Sequence, residues 1–366
     1  MKAKTHGELP AYVDLVLIPA TNLVVALLVA GLVVLIIGEN PLTALGLLLK
    51  GALGSVRGWS YMLYYATNFT FTGLAVAVAF HAGLFNIGGE GQAYVAGLGA
   101  AVAGLGLEFL PWPIALVLGI VAAMAMGALW GFIPGYLQAR RGSHIVITTI
   151  MFNFIAASLM VYLINNWFRP AGRMAVESRE ITHIALINLR DAGAALGLAL
   201  PPSPLNATVF LAGLAAWATW YLLWRTRLGY EIRSVGANPE AAVYGGIKLQ
   251  RIIMITMAIS GALAGLMAVN EVLGVHHRLI LEFAGGAGFV GIAVALMGRS
   301  HPVGVVLAAL LFGLLYQGGA ELSFAKPAIT RDMIVVIQGL VILFMGALEQ
   351  AFRPLLASLF FEPEKA

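Results

Sequence analysis

Gly83-Leu84-Phe85-Asn86-Ile87-Gly88-Gly89-Glu90-Gly91-Gln92 opens an apolar run that continues to about residue 107. A carboxylate and two amides lie in or beside a stretch long enough to cross a bilayer. Glycines at 88, 89 and 91 each disfavour continuous helix by roughly 1 kcal/mol relative to alanine. An ionisable side chain in hydrocarbon costs about 2.5 kcal/mol or more, so such residues face a cavity or a partner. The stretch therefore predicts a broken helix whose free N-terminus, with its positive dipole end, stabilises Glu90 or holds polar atoms of a substrate. The bland alternative is a turn joining two spans.

Composition places this stretch in a membrane. Of 366 residues, 60% are hydrophobic and 10% charged, and the mean hydropathy is +0.91. Soluble domains carry about 25% charged residues. Collagen is excluded, because the 43 glycines follow no triplet period, and the apolar content excludes disorder. The net charge of +4 reads as basic loops beside apolar runs rather than as a nucleic-acid surface. With no cysteine, disulfides, thiol catalysis and Cys-ligated metals are out.

A helical span takes about 20 mostly apolar residues. Such runs lie near 16–37, 59–80, 83–107, 113–138, 144–165, 206–224, 252–273, 284–298, 303–317 and 333–351. The predicted fold is all-α: a polytopic inner-membrane helical bundle of about ten transmembrane segments, broken near residues 83–92, forming a single domain over 1–366. The run 16–37 exceeds a signal-peptide core and reads as a retained span. The short run 42–53, interrupted by Lys50, reads as re-entrant or interfacial. Arg140 and Arg141, the basic stretch 225–251, and Arg299 with His301 fall at every second connection. The positive-inside rule makes these loops cytoplasmic. Loop 166–203 then faces outward, and both termini lie inside. A second Gly-rich segment, 285–298, stands five spans after the first, as an inverted repeat of five plus five spans would place it; tight packing through small residues is the alternative.

Other patterns are local. Thr149 and Asn153 share a helix face, either for helix–helix hydrogen bonding or for substrate. Asn270 and Glu271 end a span, where Glu271 reads as interfacial and solvated. Gly127/Gly131/Gly135 and Gly261/Gly265 carry the small-residue spacing of close helix contacts. Gly286-Ala287-Gly288-Phe289-Val290-Gly291 matches a dinucleotide fingerprint by letters but opens a membrane helix, so it reads as packing. In the loop 225–251, Asn238 is a good N-cap and Pro239 suits the first helical position. Glu240 complements the dipole, and Gly245 with Gly246 ends the helix. Asn238, Pro239, Glu240, Ala241, Ala242, Tyr244 and Gly245 thus describe a two-turn exposed helix, a lever for a partner or a connector on the membrane surface. No P-loop, H-E-x-x-H or G-x-S-x-G pattern occurs. No catalytic residue, metal site or cofactor is expected in this chain.

From about Leu63 to Glu349 the chain resembles the membrane permeases of ABC importers in the simple-sugar, branched-chain amino acid and nucleoside group. The nucleoside branch, served by basic membrane lipoproteins, is the closest. The resemblance rests on the order of several motifs: 83–92; Gly131–Ala156 with Gln138-Ala139-Arg140-Arg141-Gly142; Leu228–Ile247; and Gly288–Pro302. Gln92 after Gly91 is similar to the larger of two paired subunits. Ser143-His144 departs from relatives that carry an acidic residue there.

That resemblance implies a transport subunit without its own ATPase motif, in the bacterial plasma (inner) membrane. Its expected partners are a second homologous permease subunit, cytoplasmic ABC ATPase subunits that hydrolyse the ATP, an external substrate-binding lipoprotein and the lipid bilayer, with no nucleic acid. Helix 238–245 would be the coupling helix. The substrate pathway is expected at Phe85, Asn86, Glu90, Gln92, Thr149, Phe152 and Asn153, with amides for hydrogen bonds and aromatic faces for a ring. Two roles are open to Glu90: bonding ribose hydroxyls, or fixing the break. The competing readings are a sugar or branched-chain amino acid permease, and a cation-coupled secondary transporter using Glu90 and Glu271.

Overall fold

The computed structural model describes residues 18–195, 197, 199–330, 333–340 and 343. The expected span 333–351 lies mostly outside the described residues, as do both termini. Among the described residues the secondary structure is helical, with isolated bridges and no strand. Among the described residues five helices are long and apolar enough to cross a membrane, or six if one bent pair counts as a single span. The chain is thus a polytopic helical membrane protein. It divides into two compact units, 1–51 with 318–366, and 52–317.

In the first unit, α1 (Ile18–Ile36) and α2 (Pro41–Leu53) meet at a bend of 115°. Gly38 takes a left-handed φ of 89° there, and Asn40 caps α2 by accepting from Leu42 N at 2.9 Å. The short run around Lys50 is therefore a helix folded back on its neighbour. Ala30, Val34, Ala44, Leu322, Ile329, Ile334 and Ile337 form this unit's core, and Lys326 pairs with Glu39 at 3.0 Å.

The second unit is built around α3 (Val56–His81) and α11 (Leu249–Ala268), which are mostly buried. Between them in sequence lie α4 (Gly89–Gly106), α5 (Trp112–Arg141), α6 (Ile145–Leu163), α7 (Leu189–Ala195), α8 (Thr208–Arg225), α9 (Arg227–Ala237) and α10 (Pro239–Tyr244). After α11 follow α12 (Ala287–Met297) and α13 (Pro302–Ala325). Helices α6 and α11 end in wider π turns, Ile164–Phe168 and Val269–His276. Thr67, Thr70 and Thr72 are buried in α3, and each hydroxyl donates to the carbonyl four residues back, at 2.8, 2.7 and 3.1 Å. An apolar core can thus hold them without orphaned donors.

The glycine spacing does what its pattern predicts. A Cβ on Gly127 would strike Gly261 O, and one on Gly261 would strike Gly127 O. Helices α5 and α11 approach to backbone contact there, which in lipid substitutes packing for the hydrophobic drive. In contrast, α5 and α6 turn apolar faces outward, with Val117, Val121, Phe154 and Ile155 exposed.

The two Gly-rich segments meet. Each is an irregular stretch followed by a helix, α4 in one case and α12 in the other. A Cβ on Gly89 would lie 3.4 Å from Gly288 O, and one on Gly288 would run into Glu90 N. The run 284–298 is thus a helix of 11 residues, about 16 Å long at 1.5 Å per residue, roughly half of the ~30 Å hydrocarbon thickness.

Candidate functional site

The break at 83–92 is held open from three sides. Gly83 has φ 70°, which frees the chain from α3, and α4 starts at Gly89 without a side-chain cap of its own. Asn86 replaces that cap: its Oδ1 accepts from Gly88 N at 2.8 Å. Its amide nitrogen donates to Gln92 Oε1 at 3.0 Å and to Ser260 Oγ at 2.8 Å. Gln92 returns a bond from Nε2 to Asn86 Oδ1 at 3.2 Å. From α6, Asn153 Oδ1 accepts from Gly91 N at 2.8 Å while its Nδ2 donates to Ile87 O at 2.9 Å. Thr149 Oγ1 accepts from Ile87 N at 3.4 Å and donates to Ile145 O at 2.8 Å. A Cβ on Gly91 would collide with Asn153, so the Gly91–Asn153 contact requires glycine.

The structure therefore brings together Asn86, Glu90, Gln92, Thr149 and Asn153, all buried, and their polar atoms are engaged within the chain. The two aromatics sit apart in separate pairs. Phe85 stacks on Phe80 at 5.1 Å. Phe152 packs on Trp130 at 5.2 Å, and Trp130 Nε1 donates to Phe152 O at 3.3 Å.

Glu90 is 6% exposed. Its Oε1 accepts from Gly286 N at 2.9 Å and its Oε2 from Gly288 N at 2.8 Å. These are amides at the start of α12, which lack intrahelical partners. The carboxylate thus caps another helix than the one it opens, and the dipole end of α12 stabilises its charge.

A second polar centre was misread from the sequence. Glu271 is 2% exposed, not interfacial and solvated. It lies on the π turn after α11 and faces α3. Tyr64 Oη donates to Glu271 Oε1 at 2.6 Å. Asn68 Nδ2 donates to the same oxygen, and His276 Nε2 stands 3.3 Å from Oε2. The adjacent Asn270 donates to Asn68 Oδ1 at 2.8 Å and accepts from Asn206 Nδ2 at 2.8 Å and Thr208 Oγ1 at 2.6 Å. Its sequence signal was the row Tyr64/Asn68 at helical spacing in α3, which a polar partner from another helix must satisfy. Loop 166–203 straps this end of the unit: Ser178, Ile181 and Leu186 amides donate to the carbonyls of Leu279, His277 and Leu273 at 2.9, 2.6 and 2.9 Å.

The opposite end of the unit carries α9 and α10. Asn238 Oδ1 accepts from Ala241 N at 3.0 Å, Pro239 opens α10, and Gly245 follows its last residue. Ala242 is buried, while Pro239, Glu240, Ala241 and Tyr244 are exposed, Tyr244 by 97%. The preceding α9 was not read from the sequence. Its signals are Thr226, which caps it by accepting from Gly229 N at 3.1 Å, and the buried pair Ile232/Val235. Gly236 lets α9 touch His81 O at the end of α3, and Arg233 Nε donates to Leu223 O at 3.0 Å. A surface cavity of about 390 Å³ between α9 and α10 is lined by Arg227, Tyr230, Ser234, Asn238, Ala241 and Gly245 among others.

A helical membrane protein in which two helices start against each other from irregular Gly-rich segments, with a capped helix at one end, has the features of transport proteins built on broken segments. Comparison with known proteins gives the family. Residues 58–346 match the branched-chain amino acid transport system / permease component family, and the chain belongs to it. It is 35% identical to the guanosine ABC transporter permease protein NupP of Bacillus subtilis, over 90% of this chain and 93% of that protein. It is 32% identical to the nucleoside ABC transporter permease protein NupB of Lactococcus lactis, over 90% of each. It is also 32% identical to the glucose ABC transporter permease protein TsgB13 of Haloferax volcanii, over 89% of this chain and 86% of that one. No solved structure matches the chain.

Proposed function

We propose that this chain is the permease subunit of an ATP-driven ABC importer for nucleosides, and that it forms the translocation pathway with a second homologous permease. The reading is carried by similarity along about nine-tenths of the chain to permeases named for guanosine and nucleosides. In this reading the chain crosses the bacterial plasma membrane about ten times, with both termini cytoplasmic. Shorter helices such as α12 then count as half-spans, in an inverted repeat centred where α4 meets α12.

Cytoplasmic ATPases hydrolyse ATP and press on Asn238, Pro239, Glu240, Ala241, Ala242, Tyr244 and Gly245. The double cap supports this role: a helix pinned at both ends transmits a push instead of unwinding. Its fixed neighbour α9 touches the end of α3 at Gly236, which offers a rigid path from lever to bundle. An external lipoprotein delivers the substrate. Asn86, Glu90, Gln92, Thr149 and Asn153 hold the broken segment that the substrate passes, with Phe85 and Phe152 flanking it. Their committed hydrogen bonds favour the supporting role for Glu90 over direct ribose contact. No covalent step is involved.

The test is reconstitution with the second permease, the ATPases and the binding lipoprotein in proteoliposomes. ATP-dependent accumulation of labelled guanosine or adenosine is expected, and none by this chain alone. Accumulation of glucose instead would transfer the cargo to the sugar branch, a reading favoured by the similarity to the glucose permease. Uptake by the lone chain that an uncoupler abolishes would replace the proposal with cation-coupled transport.

A further inference from the structure

Between the π turn of α11 and the start of α12 the chain is irregular. His277 and Glu282 adopt left-handed φ values of 50° and 56°, and Gly285 and Gly286 values of 53° and 84°. In the ten-span reading this stretch lies between α12 and the outer loop, which reaches it through the Glu177–Ile280 bridge and the Arg278–Glu177 ion pair. The far end of α12 is level with the polar end of α8: His81 Nε2 lies 3.1 Å from Ser300 O, and His301 packs on Trp224 at 5.0 Å, beside Arg225. Counting back along α12 puts residue 287 about 16 Å deeper. Gly285 N bonds Glu282 O in a tight turn at 3.0 Å, so Glu282 is near that depth. Irregular backbone at such depth occurs only where it is buried in protein or lines a water-filled cavity.

This turn is not buried. Glu282 and Gly285 are exposed, and Phe289 is exposed by 48%. A Cβ built on Gly285 or Gly286 meets nothing within 4 Å, so open space adjoins the turn. Among the described residues, neither the Glu282 carboxylate nor the Tyr94 hydroxyl has a hydrogen-bond partner. Tyr94, the partly exposed residue at the start of α4, stands edge-on to Phe283 at 5.4 Å and 89°. An unpaired carboxylate at membrane depth cannot face lipid tails, whereas the outward faces of α5 and α6 are apolar.

We infer that the turn 282–289 with Tyr94 is the pathway wall of this subunit, where the Glu282 carboxylate accepts from the vicinal hydroxyls of a pentose and Phe289 with Tyr94 flanks its planar base. The inference rests on the nucleoside reading for the ligand, but not for the location of the pathway. Glu90 and Glu282 divide the work: Glu90 is buried and its oxygens accept from the α12 amides, and Glu282 stays free for a polar, uncharged solute. A carboxylate here also disfavours anionic relatives of that solute, such as nucleotides, by like-charge repulsion.

The chain contains no cysteine, so a single introduced thiol is the only one it carries. In the complete transporter, Glu282→Cys, Tyr94→Cys and Phe289→Cys are treated with a charged, water-soluble thiol reagent, with Val121→Cys and Phe154→Cys as controls. The three turn positions should react at least about tenfold faster than the controls, since reaction needs a water-accessible thiolate. Excess guanosine should slow Glu282→Cys labelling severalfold. Glu282→Gln should raise the concentration for half-maximal uptake about tenfold, as a neutral acceptor replaces a charged one. Labelling of the turn no faster than the controls overturns the pathway assignment, whatever the cargo. Fast labelling that no nucleoside slows, in a transporter that still imports nucleosides, overturns the substrate contact. Failure of the wild type to import nucleosides removes the cargo reading and leaves the labelling result standing.

Discussion

Replacing Glu90 by alanine removes both acceptors that hold the first amides of α12. The two bonds, 2.9 Å from Gly286 and 2.8 Å from Gly288, run to a charged group, and such bonds contribute roughly 1.5–3 kcal/mol each. Their joint loss amounts to about 3–6 kcal/mol. Side-chain hydrogen bonds within membranes average only about 0.6 kcal/mol, because the freed groups find other partners. Here a Cβ on Gly288 would run into Glu90 N while Gly286 borders open space, so close packing blocks rescue of the Gly288 amide but not of the Gly286 amide, and the loss of one charged bond, about 1.5–3 kcal/mol, applies. Glu90→Gln keeps one carbonyl oxygen and turns an N–H toward the other amide, so about half of the effect should remain. The assay is hydrogen exchange of residues 286–290 in the purified complex, read beside its thermal midpoint. Protection should fall in the order wild type, glutamine, alanine. Unchanged protection at 286 and 288 in the alanine variant would refute the account of how the two broken segments are joined.

Four further outcomes follow from the same geometry. Gly261→Val must push α11 away from Gly127 O, and the overpacking should destabilise the complex by about 1–3 kcal/mol in thermal or denaturant melts. Tyr244→Ala removes a fully displayed side chain, so stability should stay within about 0.5 kcal/mol while stimulation of the ATPases by loaded binding protein falls. Asn238→Ala should reduce that stimulation too, and cost about 1 kcal/mol by uncapping α10. Glu271→Leu orphans the half-buried donor of Tyr64 and the buried donor of Asn68, at about 1–3 kcal/mol each, and Glu271→Gln should restore most of the thermal midpoint.

The break at 83–92 and the capped helix at 238–245 were legible because both are local. Glycine's cost in a helix, the N-cap preference of asparagine and the fixed φ of proline act within a few residues of the chain. The helix seam at Gly127 and Gly261 was legible for a related reason, since small residues at four-residue spacing mark one face wherever that face packs. The length of helix 284–298 was not. An apolar run gives an upper bound on a helix, and the left-handed turn at 285–286 shortens this one to half a span. Nor was α9, whose buried residues Gly229, Ile232 and Val235 are too few to raise a periodic signal.

Composition and hydropathy alone determined that this chain is a bundle of membrane helices, because in a 60% hydrophobic chain continuous apolar runs of about 20 residues satisfy their backbone in lipid as helices. They also determined that one of these helices opens on a buried carboxylate. Only the tertiary structure decided whom that carboxylate serves. The amides that hold Glu90 are 196 and 198 residues further along the chain, and the phenol that holds Glu271 is 207 residues away. Residue type states that a buried polar atom must be paired, but the choice of partner depends on which helices pack and at what height, which no local preference encodes.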